Sequence, residues 1–364
     1  MSYLLMNKDE VLLKFRIIEE SGYQFAEEIK VYSKPFWVDS LTDFLSNRKA
    51  PLHREHIAEL LKLCQCETLI GYLNFTHALS LNDTLWVKDE DEKDLEWKCV
   101  SLYRNEFDET ISKIAFTGGM YGEQFSSLTP ELGTNGQFAK CWIRDNDNIY
   151  LIKRGSEGAS NSGLEPYSEY YGSKILNRIC DDVVIYDLVK YRGKLATKCG
   201  LFTSEDYGFV PMMYLNPGKS MPTLIKYIKE LGFYEKFCDM IVGDTVIMNE
   251  DRHLGNFGVI VSNKTFDIVD FAPLFDHNLS MLCYADKHDL EDVSKYLMKM
   301  NKGHKLDNDT FINSGIKFLN SRNRQKLRSL LGYGIEKHEK YNLEDWRLDI
   351  LNKQVNRQIE SLLT

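Results

Sequence analysis

Between residues 249 and 258 the chain reads Asn-Glu-Asp-Arg-His-Leu-Gly-Asn-Phe-Gly. Asp251 supplies a carboxylate that can orient or deprotonate an attacking hydroxyl. Asn256, separated from it by four residues, supplies an amide oxygen suited to a hard divalent cation. In-line phosphoryl transfer asks for this pair, because its catalysis is mostly positioning and charge neutralisation. The same density of Asn, Asp and Gly also makes an Asx-rich turn beside a helix, so the loop alone leaves both readings open. Mg²⁺ that bridges phosphates takes further hard oxygen ligands. Two downstream aspartates compete for that role, Asp270 and Asp276, and Asp276 is favoured by its place in Ala272-Pro273-Leu274-Phe275-Asp276. Asp267 reads as a strand residue.

The phosphates of a nucleotide would need cations and backbone N–H groups upstream. Lys153 ends the β-like run Ile149-Tyr150-Leu151-Ile152-Lys153, and Glu169 on the following helix is placed to orient it. Gly133-Thr134-Asn135-Gly136 precedes the first strand of this region, where a Gly-rich turn can cover phosphates with N–H groups. A solvated rim lysine and an ordinary turn are the plainer alternatives. No G-x-x-x-x-G-K-[ST] occurs, which argues against a P-loop nucleotidase.

The elements that would carry these groups follow from periodicity. Strands are expected over 138–144 and 149–153, joined by Asp145-Asn146-Asp147-Asn148, a good hairpin turn. A Gly-rich stretch (116–122) precedes them and a polar loop (155–163) follows. Then come a helix over 166–180, strands over 194–202 and 209–215, and a break at Pro217-Gly218. Helices are expected over 223–231 and 234–248, a β-like pair over 257–261 and 266–269, and helices over 311–319, 324–331 and 346–362. The first 115 residues mix short elements, including a helix that starts near Pro51 and repeats apolar residues at Ile57, Leu60, Leu61 and Cys64. His53 and His56 read as its solvated start, and the acidic run 89–94 as a solvated loop. No chemistry emerges from this region. The expected fold is α+β and bilobed, with an N-terminal extension (1–115), a strand-rich lobe that binds nucleotide (116–215) and a helical lobe that holds the catalytic loop (216–364).

Composition narrows the functional classes. A chain of 364 residues has room for about two domains. It is 43% hydrophobic and 27% charged, values of ordinary globular proteins. Its net charge of −9 argues against a general nucleic-acid binder, whose affinity comes from neutralising phosphates. The cluster Arg322, Arg324, Lys326 and Arg328 reads as a solvated helix face. No apolar run reaches the roughly 18 residues of a membrane span, and the first residues lack a secretory signal, so a cytoplasmic protein is expected. Eight cysteines are scattered along the chain. Cys64 and Cys66, the one close pair, lack the companions of a zinc site, and buried, reduced thiols are expected.

Taken in order, Asn249-x-Asp251-Arg252-His253-x-x-Asn256, the Ala272–Asp276 segment, the strand end Tyr150–Lys153 and the helix start Ser168-Glu169-Tyr170-Tyr171 resemble the HipA-type serine/threonine kinases, toxin-module kinases with a protein-kinase-like fold. The resemblance covers roughly residues 125–300. It implies ATP and Mg²⁺ as cofactors, Asp251 as catalytic base, Asn256 and Asp276 as Mg²⁺ ligands, Lys153 on the ATP phosphates, and Met213, Tyr214 and Leu215 near the adenine. It implies a protein substrate with a Ser or Thr acceptor and an antitoxin-like partner. It also implies self-phosphorylation in the phosphate-covering segment, whose hydroxyls are Ser126, Ser127, Thr129 and Thr134. A small-molecule or lipid kinase on the same fold, and a nucleotide-binding pseudokinase, are the competing expectations.

Overall fold

The computed structural model describes residues 2–119, 126–159, 161–300 and 302–364. In chain order the elements are β1 (Ser2–Asn7), β2 (Glu10–Glu20), β3 (Tyr23–Val31), α1 (Leu41–Asn47), α2 (Ile57–Leu63), α3 (Leu69–Thr76), β4 (Leu85–Asp89), α4 (Trp97–Val100), α5 (Glu109–Thr117), β5 (Lys140–Asp145) and β6 (Asn148–Arg154). They continue with α6 (Glu165–Leu176), β7 (Tyr186–Tyr191), β8 (Lys194–Gly200), β9 (Tyr207–Pro211), α7 (Met221–Glu230), α8 (Tyr234–Ile247), β10 (Gly258–Ser262), β11 (Ile268–Phe271), α9 (Val293–Lys299), α10 (Phe311–Lys317), α11 (Ser321–Ser329) and α12 (Asp345–Leu363). Two compact units share them, one of Met1–Lys153, Gly200–Val210 and Ile260–Val269, the other of Arg154–Cys199, Pro211–Val259 and Asp270–Thr364.

The first unit is built on an antiparallel sheet in the order β3-β2-β1-β4. Leu5 faces Leu13 on one side and Val87 on the other, and all three are buried. Beside them, Met6, Leu79, Leu81, Trp86, Trp97 and Leu102 form one apolar cluster. A 256-residue closure joins the unit's ends in sequence: the Asn7 amide donates to the Asn263 carbonyl at 2.7 Å. Residues of β9, β10 and β11 add a sheet ordered β11-β10-β9. The expected β5–β6 hairpin is present, with Asp145 opposite Asn148 and Asn146 at a φ of 53° in the turn.

The second unit is helical around α8, which is buried along Phe237–Ile247. Gly243 lets α6 approach α8 closely, since a Cβ there would lie 2.5 Å from the Leu176 side chain. α7 starts two residues earlier than expected, because Ser220 and Thr223 form a reciprocal cap with Pro222 in the first turn.

Several expectations are corrected. The 209–215 strand stops at Pro211 and tightens into a 3-10 turn over Met212–Leu215. Asp267 lies in the turn before β11, not in a strand. Strands β1–β4 and β7 and helix α9 had no clear periodic signal. Seven cysteines are buried, but Cys99 is exposed. Burial pushes the Cys64 and Cys66 thiols up to about 12. Part of the 116–122 glycine stretch, from Met120 on, lies outside the described residues. Among the described residues, no helix is long and apolar enough to cross a membrane.

Candidate active site

α8 ends at Met248 in the left-handed region, φ 54°, and this sharp stop launches the loop that carries Asp251. Asn249 secures the exit. Its amide N–H donates to the Asp244 carboxylate at 2.9 Å, and its side-chain oxygen accepts from the Asp251 backbone N–H at 3.2 Å. The Asn256 side chain closes the loop from the other end, donating to the Asp251 carbonyl at 2.9 Å and accepting from the His253 backbone N–H at 2.9 Å. These bonds fix which way the amide points and leave its oxygen a second lone pair. Burial lowers the His253 pKa, more than the nearby Asp251 charge raises it. With Nδ1 accepting from Gly255 N–H at 3.0 Å, the ring is neutral at pH 7.

Arg252 is the centre of the arrangement and is fully buried. It meets the Asp244 carboxylate through Nε at 2.8 Å and Nη2 at 3.0 Å. Its Nη1 donates to the Asn256 carbonyl at 2.7 Å and the Phe275 carbonyl at 2.9 Å, and Nη2 lies 3.3 Å from His277 Nδ1. One guanidinium thus binds the 249–258 loop to the residues on either side of Asp276. The Asp276 backbone is left-handed, φ 60°, and its N–H donates to the Tyr186 hydroxyl at 3.1 Å. Asp244 has a lowered pKa although burial opposes it, because Arg252, His304 and Asn249 all favour the carboxylate.

Asp270 is differently placed. It accepts from Lys236 Nζ at 2.6 Å and from the Phe271 N–H at 2.7 Å. Asn256 and Asp276 offer hard oxygens with the backbone around them fixed, which fits Mg²⁺. That ion usually takes one or two protein oxygens and completes its shell with phosphates and water. Among the described residues no cluster of three or more His, Cys, Asp or Glu is arranged for a metal.

The other residues of the second unit fall as follows. Glu169 is fully buried in α6 and accepts from the Thr197 hydroxyl at 2.8 Å. Met213, Tyr214 and Leu215 make the 3-10 turn, where the Met213 N–H is committed to the Leu254 carbonyl at 2.9 Å. The basic cluster on α11 is partly neutralised, since Lys326 pairs with Asp181 and Asp239 at 3.1 and 3.0 Å and Arg322 pairs with the same two acids.

In the first unit Lys153 is buried near the end of β6, directly opposite Lys140 on β5, also buried. Lys140 Nζ donates to the Asn135 carbonyl at 2.7 Å. Gly136 sits at a φ of 102°, which L side chains rarely adopt, and a Cβ there would displace that Nζ. The Gly133–Gly136 turn is held by the region that showed no chemistry in the sequence. Arg54 and Glu131 form a fully buried pair at 2.7 Å, and Arg54 also donates to the carbonyls of Glu131, Thr134 and Lys140. Thr129 is buried and accepts from Glu131 N–H; the Thr134 hydroxyl donates to Pro130 and accepts from the Trp142 indole. Ser126 is exposed and Ser127 half-buried.

No role is read in the sequence for Asp244, His277, Lys140 and Arg54, and Arg252 stands there only as part of the loop motif. A signal for Asp244 existed: a carboxylate inside Met240-Ile241-Val242-Gly243-Asp244-Thr245-Val246-Ile247 must find a buried cation.

No family model matches the chain. The serine/threonine-protein kinase CtkA of Helicobacter pylori is 25% identical to it over 198 residues, which cover 49% of this chain and 61% of that protein, less than two thirds of its length. Among solved structures, the proinflammatory kinase CtkA of Helicobacter pylori superposes with a TM-score of 0.50 at 18% identity, covering 65% of this chain and 93% of that one. HipA, from a Shewanella oneidensis complex of HipA, HipB and operator DNA, gives a TM-score of 0.51 at 9% identity over 98% of this chain and 96% of that one. The second match extends through the N-terminal region. The chain shares the mixed α/β, kinase-like fold of CtkA and HipA.

Proposed function

We propose that the protein is an ATP- and Mg²⁺-dependent serine/threonine protein kinase of the HipA type, acting in the cytoplasm. The observation that carries this reading is the Arg252 staple. A structural Asx turn would need no buried guanidinium to tie it to a second acidic segment. A phosphotransferase needs Asp251, Asn256 and Asp276 held in a fixed relation, because most of its rate comes from positioning and electrostatics.

Asp251 would orient the acceptor hydroxyl and take its proton as the oxygen–phosphorus bond forms and the bond to the departing ADP breaks. Asn256 and Asp276 would hold Mg²⁺, which when bound neutralises phosphate charge. Lys153, with Lys140 beside it, and the Gly133–Gly136 turn would serve the ATP phosphates, and Glu169 would take part in nucleotide binding. The Met213–Leu215 turn would receive the adenine. Self-phosphorylation would fall on Ser126 or Ser127, whose hydroxyls are more accessible than those of Thr129 and Thr134. An antitoxin-like protein partner is proposed from the likeness to HipA, which was solved with HipB.

The test is transfer of label from [γ-³²P]ATP with Mg²⁺, with and without cell lysate, comparing wild type with Asp251→Asn. Label on polypeptide that falls about 10²–10⁴-fold in the variant, with ADP binding retained, is the expected result. Label confined to small molecules would turn the reading to a small-molecule kinase, and nucleotide binding without turnover to a pseudokinase.

A further inference from the structure

The catalytic loop offers no accessible cation of its own. Arg252 is turned inward and fully buried, and the His253 Nδ1 accepts from the Gly255 N–H at 3.0 Å. A cation nevertheless reaches the loop from far along the chain: Lys305 Nζ donates to Asp251 Oδ1 at 2.7 Å.

We propose that Lys305 is the positioning residue of the catalytic carboxylate, delivered by the turn 302–310; the inference rests on Asp251 being the base. The turn is built to present this ammonium. The His304 backbone N–H donates to the Asp309 carbonyl at 2.7 Å, and the Lys302 N–H donates to Leu297 at 2.9 Å. Asp307 accepts from Ser314 at 2.7 Å and from Lys317 at 3.1 Å. Gly303 leaves no room for a side chain, since a Cβ would lie 2.3 Å from the Asp309 carbonyl oxygen. The His304 ring is fully buried, with Nε2 3.9 Å from Asp244 Oδ2, the carboxylate that also holds Arg252. The turn and the loop therefore share one pivot. Lys302 meets Glu250, the neighbour of Asp251, in a separate ion pair.

With Oδ1 held by Lys305, the carboxylate is fixed in rotation and Oδ2 is left to receive the acceptor hydroxyl. The ammonium also offsets one negative charge where another approaches with the γ-phosphoryl group. A solvent-facing ion pair adds little stability, so its contribution should appear in turnover rather than in folding.

The experiment compares full-length wild type, Lys305→Met, Lys305→Arg and Lys302→Met, using [γ-³²P]ATP with casein and the chain itself as acceptors, ADP affinity by calorimetry, and thermal unfolding. Lys305→Met should lower kcat by about 10–100-fold, the range of a lost orienting contact, with KM for ATP and ADP affinity within about threefold. Lys305→Arg should recover most of the rate, and Lys302→Met should stay within about threefold of wild type. Turnover of Lys305→Met within about twofold of an active wild type would overturn this inference and leave the kinase reading standing. Equal losses in all three variants with matching falls in Tm would also overturn it, as a structural role. A wild type that transfers no label to polypeptide overturns the reading beneath it, and this inference with it.

Discussion

Replacing Arg252 by Met removes the charge while roughly keeping the length of the side chain. Four donated bonds are lost, two to Asp244 and one each to the carbonyls of Asn256 and Phe275. Charge-assisted bonds are worth about 1.5–3 kcal/mol each, but they are not additive within one guanidinium. The deciding effect is on Asp244, fully buried and left with the Asn249 amide and the His304 ring 3.9 Å away. Breaking a buried pair from one side costs about 3–5 kcal/mol, a large share of the ~5–15 kcal/mol that holds a typical domain together. If the stranded carboxylate is the cause, removing its charge must help. The double variant Arg252→Met/Asp244→Asn should be more stable than the sum of the single losses by about 1–3 kcal/mol. Guanidinium unfolding of wild type, both single variants and the double variant measures this as shifts in midpoint at constant slope. An Arg252→Met loss below about 1 kcal/mol, or strict additivity in the cycle, would refute the account of Arg252 as the staple of the site.

Three further outcomes are expected. In Mg²⁺ titrations of turnover, Asp276→Ala should need far more metal than wild type, whereas Asp270→Ala, which loses its pair with Lys236, should follow the wild-type curve; the reverse order would reassign the ligand. His304 has a pKa below its ordinary value of 6.5, first because it is buried and then because Arg252 and Lys317 are near, with Asp244 and Asp307 opposing. As pH falls below about 6.5 the unfolded chain binds a proton that the folded chain refuses, so stability drops by up to ~1.4 kcal/mol per unit. His304→Gln should flatten that limb of a Tm–pH profile, and an unchanged slope would count against the assignment. Arg54→Met should strand Glu131, whose carboxyl burial already raises, and loosen the Gly133–Gly136 turn. Lower stability and weaker ATP binding, both partly restored by Glu131→Gln, are the results to look for in unfolding and calorimetry.

What could be read from the sequence was local. The β5–β6 hairpin is announced by Asp145–Asn148 between apolar runs, and α8 and α12 by their length and apolar spacing. Asp251 and Asn256 are legible because the chemistry and the spacing lie within one loop. β3 gives no alternation because it is exposed on both faces, so Tyr23, Phe25, Ile29 and Val31 face solvent beside Glu27 and Glu28. Met212–Leu215 reads as strand because its residue types suit one, yet Met213 bonds to Leu254 and the backbone tightens into a turn. Arg252 carries no spacing signal for its role, since its partners at Asp244, Phe275 and His277 come from different elements. Lys305 stands 54 residues beyond Asp251, a separation at which no pattern in the sequence pairs a lysine with an aspartate.

The interleaved make-up of the two units has a consequence for synthesis. The first unit draws its last residues from Ile260–Val269, and the bond from Asn7 to Asn263 cannot form until that stretch has been made. A ribosome adding about 5–20 residues per second would hold the β3-β2-β1-β4 sheet without these late partners for tens of seconds. During that interval the nascent chain exposes the apolar surface that the later segments cover, and no single cut releases either unit whole. Chaperone attendance on the emerging chain, and a poor yield from split expression, follow from the order in which the chain is threaded.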